Sequence, residues 1–198
     1  MSNQQVFKMP RQYNNKIDAI LFEKMTHPVI DWAYDNNLTP NYFTTLSFLS
    51  QSWSLYYLFT FKPYMYAFLY ILGYYFDCLD GPMARKYNMV TKFGDYYDHV
   101  TDIICFILAN LIYIVKYNMF SYNYIVYVYC FMGTGLFKYI GLQETYYDKK
   151  AGTEERSPFL CWTKKLLREN DRIEVYKHFS FSYFVLFFSS IPIVIVNS

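Results

Sequence analysis

No Cys-x-x-Cys pair occurs in this chain of 198 residues, and none of its four cysteines, Cys78, Cys105, Cys130 and Cys161, has a histidine at metal-ligand spacing. That argues against a zinc site or a disulfide framework. Three of the thiols lie within or beside apolar stretches and read as small buried side chains. Charge is also scarce, at 17% of residues with a net of +2. The basic residues are interleaved with acids and form no recognition helix or stacking motif, so nucleic acid is not an expected partner. Residues 1–11 lack the apolar run of a signal peptide, so insertion into a membrane is expected to rely on the first span itself. No internal repeat or extended low-complexity tract stands out beyond aromatic enrichment.

What the chain has is apolar and aromatic length, with 54% hydrophobic residues and 23% aromatic. Stretches near the ~20 residues that cross hydrocarbon run from about Tyr42 to Phe61, Tyr64 to Leu79, Tyr96 to Val115, Phe120 to Leu142 and Phe179 to Val196. The expected fold is therefore all-α, a polytopic transmembrane helical bundle of five spans with a sixth left open. Its mean hydropathy near zero does not conflict, because tyrosine scores as mildly polar while its ring partitions well at the interface. Charge placement supports this topology. With the N-terminus in the cytoplasm, sixteen of the eighteen Lys and Arg lie inside, leaving Lys62 and Lys116 opposite, as the positive-inside rule requires.

Ahead of the spans, Ile17, Ile20, Leu21, Met25, Val29 and Ala33 recur at helical intervals, opposed by Lys16, Glu23 and Lys24. They predict an amphipathic helix on the membrane surface, interrupted near Pro28, with a partner-binding helix as the plainer alternative. Residues 1–38 are expected to be a tail and interfacial helix, and 39–198 the transmembrane domain. Between the last two spans, Phe159-Leu160-Cys161-Trp162 followed by Lys164, Lys165 and Arg168 predicts a short interfacial helix.

Against this background, 77–102 reads DCLDGPMARKYNMVTKFGDYYDHVTD. Carboxylates at membrane depth are costly and persist where they pair, bind ions or face a wet cavity. Asp77 and Asp80 are three apart on one helix, with Gly81 and Ala84 continuing the stripe to Arg85. Asp98 and Asp102 are four apart on the next. Two helices joined by a short link can aim all four at one space, where they would repel unless neutralised. Oxygen ligands without Cys or His suit hard divalent ions, Mg²⁺ or Mn²⁺. Two such ions could clamp a diphosphate and stabilise a leaving phosphate oxygen. A structural salt-bridge network would explain one or two of these carboxylates, but not four beside a single arginine. A cation-binding transporter is the remaining competitor.

The spacing Asp77-x2-Asp80-Gly81-x2-Ala84-Arg85-x8-Gly94-x3-Asp98-x3-Asp102 resembles the signature of the CDP-alcohol phosphatidyltransferases, membrane enzymes that make phospholipids from cytidine-activated precursors. Upstream, Pro40-Asn41-Tyr42-Phe43-Thr44 is similar to the Pro-Asn-x-x-Thr that opens the first membrane helix in that family. The resemblance implies that Asp77 and Asp98 bridge two metal ions, that Asp80 completes one site, and that Asp102 ligates the other while taking the proton of the attacking hydroxyl. It further implies that Asn41, Gly81, Arg85 and Thr91 contact the CDP moiety. Gly81 and Ala84 would leave room for the nucleotide, and Arg85 offers a fork of donors to phosphate oxygens. Asn41 could equally cap the first membrane helix, and Thr91 could be a loop hydroxyl. Family members commonly have a core of six transmembrane helices, where five are counted here.

Asp95 and His99 give Gly-acid-x-x-Asp-His-x-x-Asp, a pattern similar to the eukaryotic choline and ethanolamine phosphotransferases, although Val100 stands where those enzymes usually have glycine. His99 could assist proton transfer or hydrogen-bond a neighbouring carboxylate. The expected activity is transfer of a substituted phosphate from a CDP-alcohol to a hydroxyl with release of CMP, leaning to CDP-choline or CDP-ethanolamine with diacylglycerol. The alternative is a CDP-diacylglycerol-dependent synthase of the phosphatidylinositol, phosphatidylglycerophosphate or phosphatidylserine type. Ile103, where a basic residue often follows the last aspartate in the first two of these, counts against an anionic acceptor. Expected partners are these substrates and membrane lipids, with a homodimer left open. The expected place is an endoplasmic reticulum or other cellular membrane, with the site near the cytoplasmic face.

Overall fold

The computed structural model describes Ile17, residues 20–151 and residues 161–197. Among these, every regular element is helical. A π-helical turn, Leu21–Thr26, leads into α1 (His27–Asp35). The long helices α2 (Pro40–Phe59), α3 (Pro63–Lys86), α4 (Lys92–Lys116) and α5 (Asn123–Ala151) follow. After a 3₁₀ segment at Cys161–Leu166 come α6 (Ile173–Tyr176) and α7 (Phe181–Asn197). The all-α membrane bundle expected from the sequence is thus what the chain builds.

Three helical runs are long and apolar enough to cross a membrane: Lys92–Lys116, Asn123–Tyr146 and Ile173–Asn197. The other two expected spans form continuous helices, α2 and α3, of 20 and 24 residues. Their composition is less apolar, for a structural reason. Helix α2 buries Thr44, Ser47, Gln51 and Ser54, and α3 carries two aspartates and a series of tyrosines. Thr44, Ser47, Gln51 and Ser54 of α2 and Tyr66, Tyr70 and Asp80 of α3 face inward, where neighbouring helices can pair them.

Helix α2 packs along α3 and against α4, and α7 packs against α3. The core is aromatic, with Tyr66, Tyr113, Phe188 and Leu58 fully buried. Helix α1 differs in detail from expectation. Thr26, Ile30 and Ala33 are buried, whereas Ile20 and Met25 are exposed. The i→i+5 turn ahead of Pro28 inserts a residue relative to α-helical phase and so rotates the inward face. That face rests on Phe43, Leu79 and Met83, making α1 part of the bundle wall. The expected beginning of this helix, including Lys16, lies outside the described residues.

Polar contacts pin α1 to the end of α3. Asp31 accepts hydrogen bonds from Lys86 Nζ and from Tyr87 Oη, the latter at 2.7 Å, and Tyr34 stacks on Tyr87 at 3.7 Å. Burial works to raise the Asp31 pKa, yet the Lys86 and Tyr87 hydrogen bonds and the Lys86 charge hold it below the ordinary carboxylate value.

The segment expected as an interfacial helix is the 3₁₀ turn Cys161–Leu166, with Trp162 against Phe137; Phe159 and Leu160 lie outside the described residues. Cys78 and Cys105 are buried free thiols as expected, but Cys130 is exposed. The Cys161 side chain is outside the described set.

Candidate active site

The turn between α3 and α4 sets the site. Just past the end of α3, Asn88 takes φ 56°, and Met89 N donates to the Ala84 carbonyl at 2.8 Å. Asparagine tolerates this left-handed position better than most residues. Helix α4 then starts at Thr91, whose Oγ1 accepts from Gly94 N at 3.0 Å. Thr91 is therefore an N-cap as well as an exposed hydroxyl. Asn41 does not cap α2, since Thr39 holds the cap position and Pro40 begins the helix. The Asn41 side chain instead meets Gly94, where a Cβ would lie 3.0 Å from Asn41 Oδ1 and 3.1 Å from Thr91 Oγ1. Two of the residues expected at the nucleotide thus converge on one glycine.

The short turn brings the carboxylates of α3 and α4 face to face. Asp77, Asp98 and Asp102 each offer an oxygen within 4.8 Å of one another, and all three are half-buried. Asp80 is more deeply buried beside them, with Oδ2 accepting from Thr44 Oγ1 at 2.6 Å. Three carboxylates this close cannot all be charged without a counter-charge. Among the described residues, nothing donates a hydrogen bond to the buried Asp98 Oδ1. A buried acceptor left bare inside an all-oxygen cluster is what a hard divalent cation would fill, so the residues present fit such an ion.

His99 lies beside the cluster, with Nδ1 3.1 Å from Asp98 Oδ2 and Nε2 3.7 Å from Asp95 Oδ1. Both ring nitrogens thus face carboxylates, an arrangement that orients Asp98. Arg85 folds over Gly81, whose missing side chain makes the space. A Cβ there would lie 3.0 Å from Arg85 Nη1. Ala84 sits between them, half-buried, on the same helix.

Two residues not assigned to the site from the sequence also reach the cluster. Thr44 holds Asp80, and Gln51 donates from Nε2 to Asp102 Oδ1 at 3.2 Å. The signal for both was present in the sequence as Thr44, Ser47, Gln51 and Ser54, polar positions at helical spacing within an apolar span.

Residues 37–163 match the CDP-alcohol phosphatidyltransferase family. Among curated proteins, a CDP-diacylglycerol–serine O-phosphatidyltransferase of Helicobacter pylori (strain ATCC 700392 / 26695) is 32% identical over 87 residues, covering 44% of this chain and 36% of that protein. Its counterpart in strain J99 is 31% identical over a stretch of the same length. An uncharacterized protein of Aquifex aeolicus (strain VF5) is 26% identical over 81 residues, 41% of each chain. The chain spans little more than a third of the length of the two Helicobacter relatives. No solved structure matches it. The family match covers more than half of the chain and contains every aspartate of the cluster, so this chain belongs to the CDP-alcohol phosphatidyltransferase family.

Proposed function

We propose that the chain is an integral membrane transferase that moves a phosphatidyl group from CDP-diacylglycerol to the hydroxyl of a small polar acceptor, with serine the first to test. The observation that carries the chemistry is the meeting of Asp77, Asp98 and Asp102 around a bare Asp98 oxygen. The donor and acceptor rest on the names of the Helicobacter relatives. They shift the balance from the CDP-choline or CDP-ethanolamine direction toward the CDP-diacylglycerol one. The transporter alternative has no support once the family is known.

Asp77, Asp80, Asp98 and Asp102 would hold divalent ions, Mg²⁺ or Mn²⁺, which when bound would supply charge neutralisation to the diphosphate. Arg85 beside Gly81 would grip phosphate oxygens, and Asn41 and Thr91 at Gly94 would hold the nucleotide. The acceptor oxygen bonds to the phosphorus of the diacylglycerol phosphate as the bond to CMP breaks. CMP departs with that electron pair, and Asp102 takes the hydroxyl proton. His99 holds Asp98 through the first of its two contacts.

The Asp95–His99 pair supports a second reading, in which CDP-choline or CDP-ethanolamine donates to diacylglycerol. A CMP-release screen of the full chain in sealed vesicles of known orientation decides between them. CDP-diacylglycerol with serine should release CMP on the cytoplasmic side, the side on which the charge asymmetry predicts the α3–α4 turn. EDTA should stop release and Mg²⁺ or Mn²⁺ restore it. Release only from the aminoalcohol donors would replace the first reading with the second. Silence with every donor and acceptor pair would sink both.

A further inference from the structure

Thr44, Ser47, Gln51 and Ser54 are all buried on α2, and a buried amide in a membrane bundle is costly unless its donors are used. Gln51 Nε2 makes two bonds, to Asp102 Oδ1 at 3.2 Å and to Ser47 Oγ at 3.0 Å. An amide nitrogen carries two hydrogens, so both can form at once. The reversed amide would set Oε1 against the Asp102 carboxylate, which fixes the orientation. Gly73 on α3 makes room for this side chain, since a Cβ there would lie 2.7 Å from Gln51 Cγ. The sequence thus provides a donor, a second partner that steadies it, and a gap that admits it.

We propose that Gln51 is a positioning residue for Asp102, holding Oδ1 so that the carboxylate turns its other oxygen to the metal and the acceptor hydroxyl; this rests on the reading of the aspartate cluster given above. An uncharged donor suits the task. A lysine or arginine in its place would bring a positive charge that competes with a bound cation, whereas an amide orients the carboxylate and leaves its charge available. Thr44 offers a parallel two helical turns earlier, holding Asp80 from the same face of α2. The first membrane helix would then act as a rail that fixes one carboxylate of each of the two following helices.

The test uses Gln51→Met, which keeps the length and volume of the side chain and removes the donor. In the purified full chain, metal-stripped and titrated with Mn²⁺, free Mn²⁺ read by electron paramagnetic resonance gives the affinity directly. Removing a residue that orients a metal ligand should weaken Mn²⁺ binding and lower kcat by ~10-fold each. KM for the CDP-alcohol should stay within about twofold. Gly73→Ala, pressing on Gln51 from the opposite helix, should give the same losses. The double variant should be no worse than either alone, because both act through one contact. Unchanged Mn²⁺ affinity and kcat in Gln51→Met would overturn the proposal, as would a loss confined to thermal stability or to KM. Asp98→Asn separates the two levels. If it abolishes Mn²⁺ binding while Gln51→Met does not, only the role of Gln51 fails. If Asp98→Asn also binds Mn²⁺ normally, the metal reading of the cluster fails with it.

Discussion

Helices α3 and α4 carry two polar clusters, one of tyrosines and one of aspartates, and treat them oppositely. Along α3 the inward stripe passes from Tyr66 and Tyr70 through Gly73 to Asp77 and Asp80. Along α4 it runs from Asp98 and Asp102 through Cys105 and Ala109 to Tyr113, with Tyr117 just beyond the helix end. In the tyrosine half the hydroxyls of Tyr66, Tyr113, Tyr117 and Tyr129 find acceptors. Tyr113 donates to the Phe188 carbonyl at 2.7 Å and accepts from Tyr66 Oη at 2.9 Å; Tyr117 donates to the Leu58 carbonyl at 3.0 Å; and Tyr129 donates to Asn110 Oδ1 at 2.8 Å. These bonds close the bundle by tying α2, α3, α4, α5 and α7 to one another. In the aspartate half the acceptors outnumber the donors. Thr44 and Gln51 each satisfy one oxygen, and Asp98 Oδ1 accepts nothing among the described residues. A saturated network is architecture, whereas one left short of donors is built to receive something.

The largest effect should follow from breaking the open half. Asp98→Asn removes the bare oxygen's charge at almost constant volume, and turnover should fall by on the order of 10⁴-fold, the scale of losing one member of a catalytic unit. Stability without metal should be unchanged or higher, since one of several repelling carboxylates has gone. CMP release and thermal unfolding in EDTA, measured on the same preparation, check both halves of this statement. Near wild-type turnover, or a large fall in unfolding temperature, would show that the aspartates are structural after all.

The closed half should behave in the reverse way. Tyr113→Phe leaves the ring against Phe188 and Tyr66 but removes the hydroxyl that joins Tyr66 to the Phe188 carbonyl. Hydrogen bonds between membrane helices are individually modest, so the expected cost is about 1 kcal/mol, with kcat within about twofold of wild type. Unfolding of the purified protein by a graded denaturing detergent measures the first and CMP release the second. A large loss of activity with unchanged stability would mean that the two halves are coupled.

The contrast explains what the sequence could convey. The aspartates, Gly81 and Arg85 were legible because their spacing alone puts them on two facing stripes, and a charge in an apolar span needs a reason. The five long helices were legible from apolar length, with α2 and α3 less plainly so because their inward faces are polar. Gln51 was not singled out, since one amide among serines says little until Gly73 and Asp102 are known to flank it. The inward face that α1 also presents, with Ile30 buried beside Ala33, was not legible, because a π-turn shifts helical phase without leaving a composition signal. The cap role of Thr91 depends on where α4 starts, which side-chain chemistry in the link does not fix by itself.

The smallest effect lies at the turn between α2 and α3, on the tyrosine side. This turn closes as the site-side turn does, with Lys62 N donating to the Tyr57 carbonyl at 2.9 Å and Phe61 N to the Leu58 carbonyl at 3.2 Å. Its left-handed residue is Phe61, at φ 56°, whereas the other non-glycine residues of positive φ among those described are Asn37, Asn88 and Asn118. A phenylalanine in this conformation costs roughly 1–2 kcal/mol, and asparagine less. The ring recovers part of that, because it lies 5.1 Å from the Tyr117 ring and beneath Lys116 Nζ at 5.2 Å, contacts worth about 0.5–1 kcal/mol. Phe61→Asn should therefore raise stability by less than about 1 kcal/mol and leave CMP release unchanged. A measurable loss of stability would mean that the contacts to Tyr117 and Lys116 outweigh the backbone strain, extending the closed aromatic half into the turn itself.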